Sequence, residues 1–149
     1  LSRAVGNRDK LSDFTYISNW VEAVVAAEAK LALDSPVAGQ AYFITNGEPM
    51  PFFDFVEDFI VEMGHSKITK KVPFWLAYSV AALVEAWDML KGGSLKETGM
   101  TRFAIKYMVT HHYYSIDKAK NDFGYSPKVS LAEGIKITIA DLRRQGINV

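Results

Sequence analysis

The chain has 149 residues, 49% of them hydrophobic, with 17 basic and 17 acidic side chains. It can therefore bury the core of one globular domain, and it carries no net field that would gather a polyanion; its Lys and Arg residues are scattered rather than striped, which argues against nucleic acid as a partner. Cysteine is absent and no Asn-x-Ser/Thr acceptor occurs, which excludes a disulfide framework and a Cys-type zinc site and leans weakly towards an intracellular protein.

The opening at Leu1 is polar and lacks the organisation of a signal peptide, and a start without Met suggests a piece of a longer protein. Leu11 to Ile17 reads as a strand. Asn19 with Glu22 three residues on then forms a capping box ahead of Val21, Val24, Val25 and Leu31 at helical spacing. Pro36 and Gly39 break the chain, and Gln40 to Thr45 follows as a buried strand bounded by the turn pair Asn46-Gly47. Pro51 fits a first helical position, and Phe52, Phe55, Val56, Phe59, Ile60 and Met63 form one apolar face of a helix closed by Gly64. Lys67 to Val72 alternates like an edge strand. Pro73 to Leu90 is the most apolar stretch, ended by Gly92 and Gly93.

A short helix is expected over Thr101 to Met108 and a short strand over His111 to Tyr114. Ser115 is the expected cap of a helix stopping at Gly124, and Pro127 prevents its continuation. Ser130 with Glu133 is a second capping box, opening a last helix with Leu131, Ile135, Ile139 and Leu142 inward. Strands and helices alternate, so the class is α/β, in one compact unit or part of one.

Three segments carry a resemblance: Asp13-Phe-Thr-Tyr-Ile-Ser-Asn19, Gly39-Gln-Ala-Tyr-Phe-Ile-Thr-Asn-Gly-Glu-Pro49, and Tyr114-Ser-Ile-Asp-Lys-Ala-Lys120 with Gly124-Tyr125-x-Pro127. Together they resemble the 3β-hydroxysteroid dehydrogenases and sterol 4α-carboxylate 3-dehydrogenases, a family of extended short-chain dehydrogenases. The resemblance implies the carboxy-terminal portion of a Rossmann-type fold, residues 1–149 forming the substrate-side lobe plus a late sheet strand at Tyr42 to Ile44. It also implies oxidation of a sterol or steroid 3β-hydroxyl with NAD or NADP. In the sterol carboxylate branch the new carbonyl lies β to the carboxylate, and carbon dioxide can leave because that carbonyl holds the electrons as an enolate.

The family's glycine-rich turn is missing, since no two glycines have G-x-G spacing. The resemblance therefore implies that the cofactor is bound mainly by an upstream half and that this chain alone is inactive. An apolar strand without its sheet also predicts poor solubility of the isolated chain. Tyr114 and Lys118 have the family's Tyr-x-x-x-Lys spacing, but a cap at Ser115 would leave Tyr114 outside the helix that carries Lys118. No catalytic residue is assigned. His111 and His112 are neighbours, so in a strand they point to opposite faces and clamp no metal together.

Phe14 and Tyr16 share a strand face and are candidate substrate-binding residues, beside the alternative of ordinary strand packing. Trp75 and Tyr78 are candidates within residues 73–90, a stretch that Glu85 and Asp88 interrupt too early for a membrane span. A core helix and a helix lying at a membrane surface both fit it, the latter favoured by Trp75, Tyr78, Trp87, Lys70 and Lys71. The expected partners are a sterol or steroid and the membrane surface, with a homodimer left open; the expected location is the endoplasmic reticulum membrane, or else the cytoplasm. Two rival readings are a non-catalytic membrane or interaction module and a dehydrogenase of nucleotide sugars or flavonoids.

Overall fold

The computed structural model describes residues 3–92 and 101–147. In chain order it contains β1 (Arg3–Val5), β2 (Leu11–Ser12), α1 (Ile17–Ala29), β3 (Met50–Pro51), α2 (Phe52–Glu62), β4 (Lys70–Val72), α3 (Phe74–Leu90), α4 (Arg102–Met108), α5 (Asp117–Phe123) and α6 (Leu131–Arg144). The α/β class stands. The chain divides into two compact units, one of Leu1–Leu11 with Pro51–His111, the other of Ser12–Met50 with His112–Val149.

In the first unit β1 and β4 pair in parallel, Ala4 opposite Lys71 and Val5 opposite Val72. Ala4 is fully buried and packs with Phe53, Ile60 and Ile68. The inward side of α2 is thus led by Phe53 and Ile60, with Phe52, Val56 and Met63 partly buried around them, and the face expected from Phe55 and Phe59 is rotated. Their rings stand 5.8 Å apart beside each other instead.

α3 buries a narrow stripe of Ala77, Ala81 and Glu85 at intervals of four residues, which lets α4 approach closely through Ile105. Glu85 interrupts the apolar run for a reason: its carboxylate accepts the Arg102 backbone N–H at 2.6 Å and the Arg102 Nε–H at 2.5 Å. The backbone bond first, then the guanidinium, holds this carboxyl below the usual range. Thr101 Oγ1 completes the start of α4 by accepting from the Ala104 amide. Gly93, expected to end α3 with Gly92, lies outside the described residues.

The second unit packs Ala23 of α1 against Val37, Ile116, Ala119, Phe123 and Tyr125. Several expectations are corrected here. The strand over Leu11 to Ile17 shrinks to Leu11–Ser12, because the Tyr16 carbonyl already accepts from the amides of Asn19 and Trp20 and opens α1. Asn19 is therefore inside the helix rather than its cap. Gln40 to Thr45 has no ladder partner among the described residues and is tied by single bonds, the Thr15 hydroxyl to the Ile44 carbonyl and the Tyr125 hydroxyl to the Thr45 carbonyl.

Tyr42 in this run donates to Asp122 at 2.6 Å; burial and that carboxylate push its phenol up to about 12. The strand expected over His111 to Tyr114 is a single bridge between Ser12 and His112. Ser115 sits one place before the cap of α5, its hydroxyl accepting the Asp117 amide. Ser130 does cap α6, accepting the Glu133 amide at 3.2 Å.

Candidate functional site

In the first unit the chain leaves β1 through Gly6. Its φ of +64° is left-handed, its amide donates to the Val72 carbonyl at 2.9 Å, and a Cβ there would meet Val109 Cγ1 at 3.0 Å. Conformation and space both require glycine at this turn. β4 hands over to Pro73, which fixes the entry to α3. Between the Gly6 turn and the start of α3 lies an open cavity of about 480 Å³, within the range of small-molecule sites. Val72, Pro73, Phe74 and Val109 form its apolar wall; Asn7, Asp9, Lys10 and Lys71 supply polar groups.

Arg8 anchors the loop that carries Asn7, Asp9 and Lys10. Its guanidinium donates to Asp54 at 2.5 and 3.0 Å, to Glu57 at 3.0 Å and to the Ile68 carbonyl at 3.3 Å. Glu57 also accepts the Ile68 amide at 3.0 Å. The Arg8 hydrogen bond is the largest cause holding the Glu57 carboxyl below its usual range, and Glu57 in turn raises Arg8. The loop is thus clamped to α2 from its middle, leaving the residues on either side of Arg8 for the cavity.

The four residues expected to bind substrate fall in different units. Tyr78 is half-buried behind the cavity wall, its ring 5.5 Å from that of Phe74, while Trp75, next to Phe74, is 68% exposed. In the second unit the Tyr16 ring lies against Gly134 of α6, and the Phe14 carbonyl accepts the Asn46 amide at 3.0 Å. Lys118 donates to Gln40 and to the Ala41 carbonyl and stands over the Tyr42 ring. Tyr114 precedes α5 and stacks on Phe43 with centroids 4.2 Å apart.

Sequence reasoning passed over Asn7, Asp9, Lys10 and Val109 at the cavity. The signal available was Gly6, an isolated glycine directly after a strand-forming Arg-Ala-Val.

A nicotinamide dinucleotide needs a glycine-rich turn leading into a helix so that backbone amides can meet its pyrophosphate. The described helices are entered instead through Tyr16, Pro51, Pro73, Thr101, Ile116 and Ser130. The described residues therefore do not provide that cradle.

The model of the 3-beta hydroxysteroid dehydrogenase/isomerase family matches residues 2–74. The chain is 38% identical over 135 residues to a 2-alkyl-3-oxoalkanoate reductase of Stenotrophomonas maltophilia (strain K279a), covering 90% of this chain and 40% of that protein. It is 32% identical over 136 residues to the decarboxylating sterol-4-alpha-carboxylate 3-dehydrogenase of Mus musculus, covering 91% of this chain and 38% of that protein. The crystal structure of gox2253 shares the fold with TM-score 0.68 at 20% identity, over 99% of this chain and 41% of that one. The chain thus spans about two fifths of the length of these proteins.

Proposed function

We propose, from the premise that this chain belongs to the 3-beta hydroxysteroid dehydrogenase/isomerase family and matches the carboxy-terminal part of its members, that it is the substrate-side lobe of an NAD(P)-dependent oxidoreductase. The substrate is a sterol or steroid oxidised at its 3β-hydroxyl, with loss of a C4 carboxylate in the decarboxylating branch. The observation that carries this reading is the cavity walled by Val72, Pro73, Phe74 and Val109, an apolar site in a chain whose described residues form no dinucleotide cradle. NAD or NADP then belongs mainly to a nucleotide-binding half. The names of both relatives describe a carboxylate on the carbon next to the one oxidised or reduced, and this shared chemistry supports a substrate with an apolar body and that grouping. Tyr78, whose ring lies 5.5 Å from that of Phe74, and its neighbour Trp75 are the proposed substrate contacts of the first unit, and Phe14 and Tyr16 those of the second.

Exchanging the matching segment of the Mus musculus enzyme for this chain tests the reading. The chimera is expected to reduce NAD or NADP with a sterol-4α-carboxylate, whereas this chain alone gives no turnover. A chimera that folds by circular dichroism but turns over neither that substrate nor a 2-alkyl-3-hydroxyalkanoate overturns it.

A second component of the proposal is attachment to a membrane surface, the endoplasmic reticulum in a sterol-handling cell, through residues 73–90. What favours it is the outward side of α3, where Trp75, Leu83, Trp87 and Leu90 are all more than half exposed and Lys91 stands 4.8 Å from the Trp87 ring. No described helix is long and apolar enough to cross a membrane, so the helix would lie in the interface with its rings at headgroup depth. Flotation with anionic liposomes is expected for the wild type and is expected to be lost in Trp75→Ala/Trp87→Ala. Flotation of the double variant at the wild-type level rejects this attachment and favours a cytoplasmic enzyme.

A further inference from the structure

We propose that the cavity beside α3 selects a monoanionic ligand, a carboxylic acid on a hydrocarbon body, and that Lys71 is the residue that selects it. This rests on reading the cavity as the substrate site. Three charged side chains line it: Asp9, Lys10 and Lys71. The Lys10 ammonium lies 3.3 Å from the Asp9 carboxylate, so that pair is close to neutral and Lys71 carries the remaining positive charge. Lys71 sits in β4 immediately before Val72 and Pro73 of the apolar wall. A carboxylate held at Lys71 would thus have its hydrocarbon laid along that wall towards Phe74.

Asp9 bounds the charge from the other side. A dianionic group such as a phosphate monoester, or a nucleoside diphosphate, would bring its second charge into a cavity where, among the described residues, Lys71 is the one unneutralised lining cation and Asp9 adds a carboxylate. A single carboxylate meets no such opposition. The arrangement therefore separates acids with an apolar body from neutral steroids, which gain nothing from Lys71, and from nucleotide sugars, which carry too much charge.

Calorimetric titration of the full chain with dodecanoate, dodecanol and dodecyl phosphate is the test, repeated for Lys71→Met, Lys71→Arg and Lys10→Met. Dodecanoate is expected to bind the wild type more tightly than either comparison ligand. Lys71→Met is expected to weaken dodecanoate about fivefold, the scale of a partly exposed ion pair, with dodecanol unchanged. Lys71→Arg is expected to restore binding, and Lys10→Met, which leaves the Asp9 carboxylate unneutralised, to weaken dodecanoate but not dodecanol. Added salt should narrow the difference between acid and alcohol. If dodecanol binds as well as dodecanoate and Lys71→Met changes neither, the charge selection is wrong while the apolar site stands. If no probe binds, the site itself is wrong and the inference falls with it. Tighter binding of dodecyl phosphate than of dodecanoate also overturns it.

Discussion

Asn19→Ala is expected to destabilise the second unit by about 2–4 kcal/mol. Asn19 is 1% exposed and uses its whole side chain. Its Nδ2 donates to Asn46 Oδ1 at 2.9 Å and to the Val129 carbonyl at 2.7 Å; its Oδ1 accepts the amides of Lys128 at 3.0 Å and Val129 at 3.1 Å. Asn46 closes the network, donating to the same Val129 carbonyl and accepting the Tyr16 amide. Alanine removes the acceptor of the Lys128 and Val129 amides, both in part-buried hydrogen bonds, at about 1–3 kcal/mol for a fully desolvated donor and less where water reaches it. The Val129 carbonyl keeps its bond from Asn46, so the loss is dominated by the two orphaned N–H groups.

Hydrogen exchange of the α1 amides is the suitable readout, because it reports the unit that carries the change. Exchange within about 0.5 kcal/mol of wild type would refute the role assigned to Asn19. Asn19→Asp refines the test. It keeps an acceptor for the two amides but sets a second carboxylate oxygen against Asn46 Oδ1 and the Val129 carbonyl, so only the protonated form can donate there. Its folded-state pKa is then raised above the unfolded value. Stability is greatest below the unfolded carboxylate pKa and falls as the pH rises through the folded one, so this variant should recover on acidification while Asn19→Ala should not.

This network also shows what could be read from the residues alone. Punctuation was legible: Pro73 and Gly92 bound α3 within a residue of expectation, and Ser130 caps α6 as its spacing to Glu133 requires. Asn19 misled because a capping box is a local pattern, while its partners lie 27, 109 and 110 residues away. The Arg8 clamp on Asp54 and Glu57 is equally non-local, and β1 is three residues long, too short for alternation to register. The cavity was half legible. Its wall begins the apolar stretch singled out at Pro73, and Lys71 stood out as a flanking cation, but Asn7, Asp9, Lys10 and Val109 reach it only because β1 and β4 pair in parallel. Gln40 to Thr45 reads as a strand by its apolar, β-forming residues, but composition alone does not show whether a run finds a ladder partner, and among the described residues it has none.

Gly134→Ala decides between two opposed effects at a helix position. In an unobstructed helix the change would stabilise by about 0.8–1.0 kcal/mol. Here a Cβ on α6 would lie 2.7 Å from Tyr16 Cδ2 and 3.0 Å from Cγ, and overpacking of that kind costs about 1–3 kcal/mol. Tyr16 has little room to retreat: its amide donates to Asn46 Oδ1 at 3.0 Å, and its carbonyl holds the first turn of α1 through Asn19 and Trp20. The clash outweighs propensity, and Gly134→Ala is expected to destabilise by about 1–2 kcal/mol in denaturant titration. The sign should reverse when the ring is removed. In a Tyr16→Ala background the same alanine keeps only an ordinary van der Waals contact with the Cβ of residue 16, at 3.4 Å, and should stabilise, so a double-mutant cycle should show a coupling well above experimental error. If Gly134→Ala stabilises the wild type, the close approach of α6 to Tyr16 is wrong.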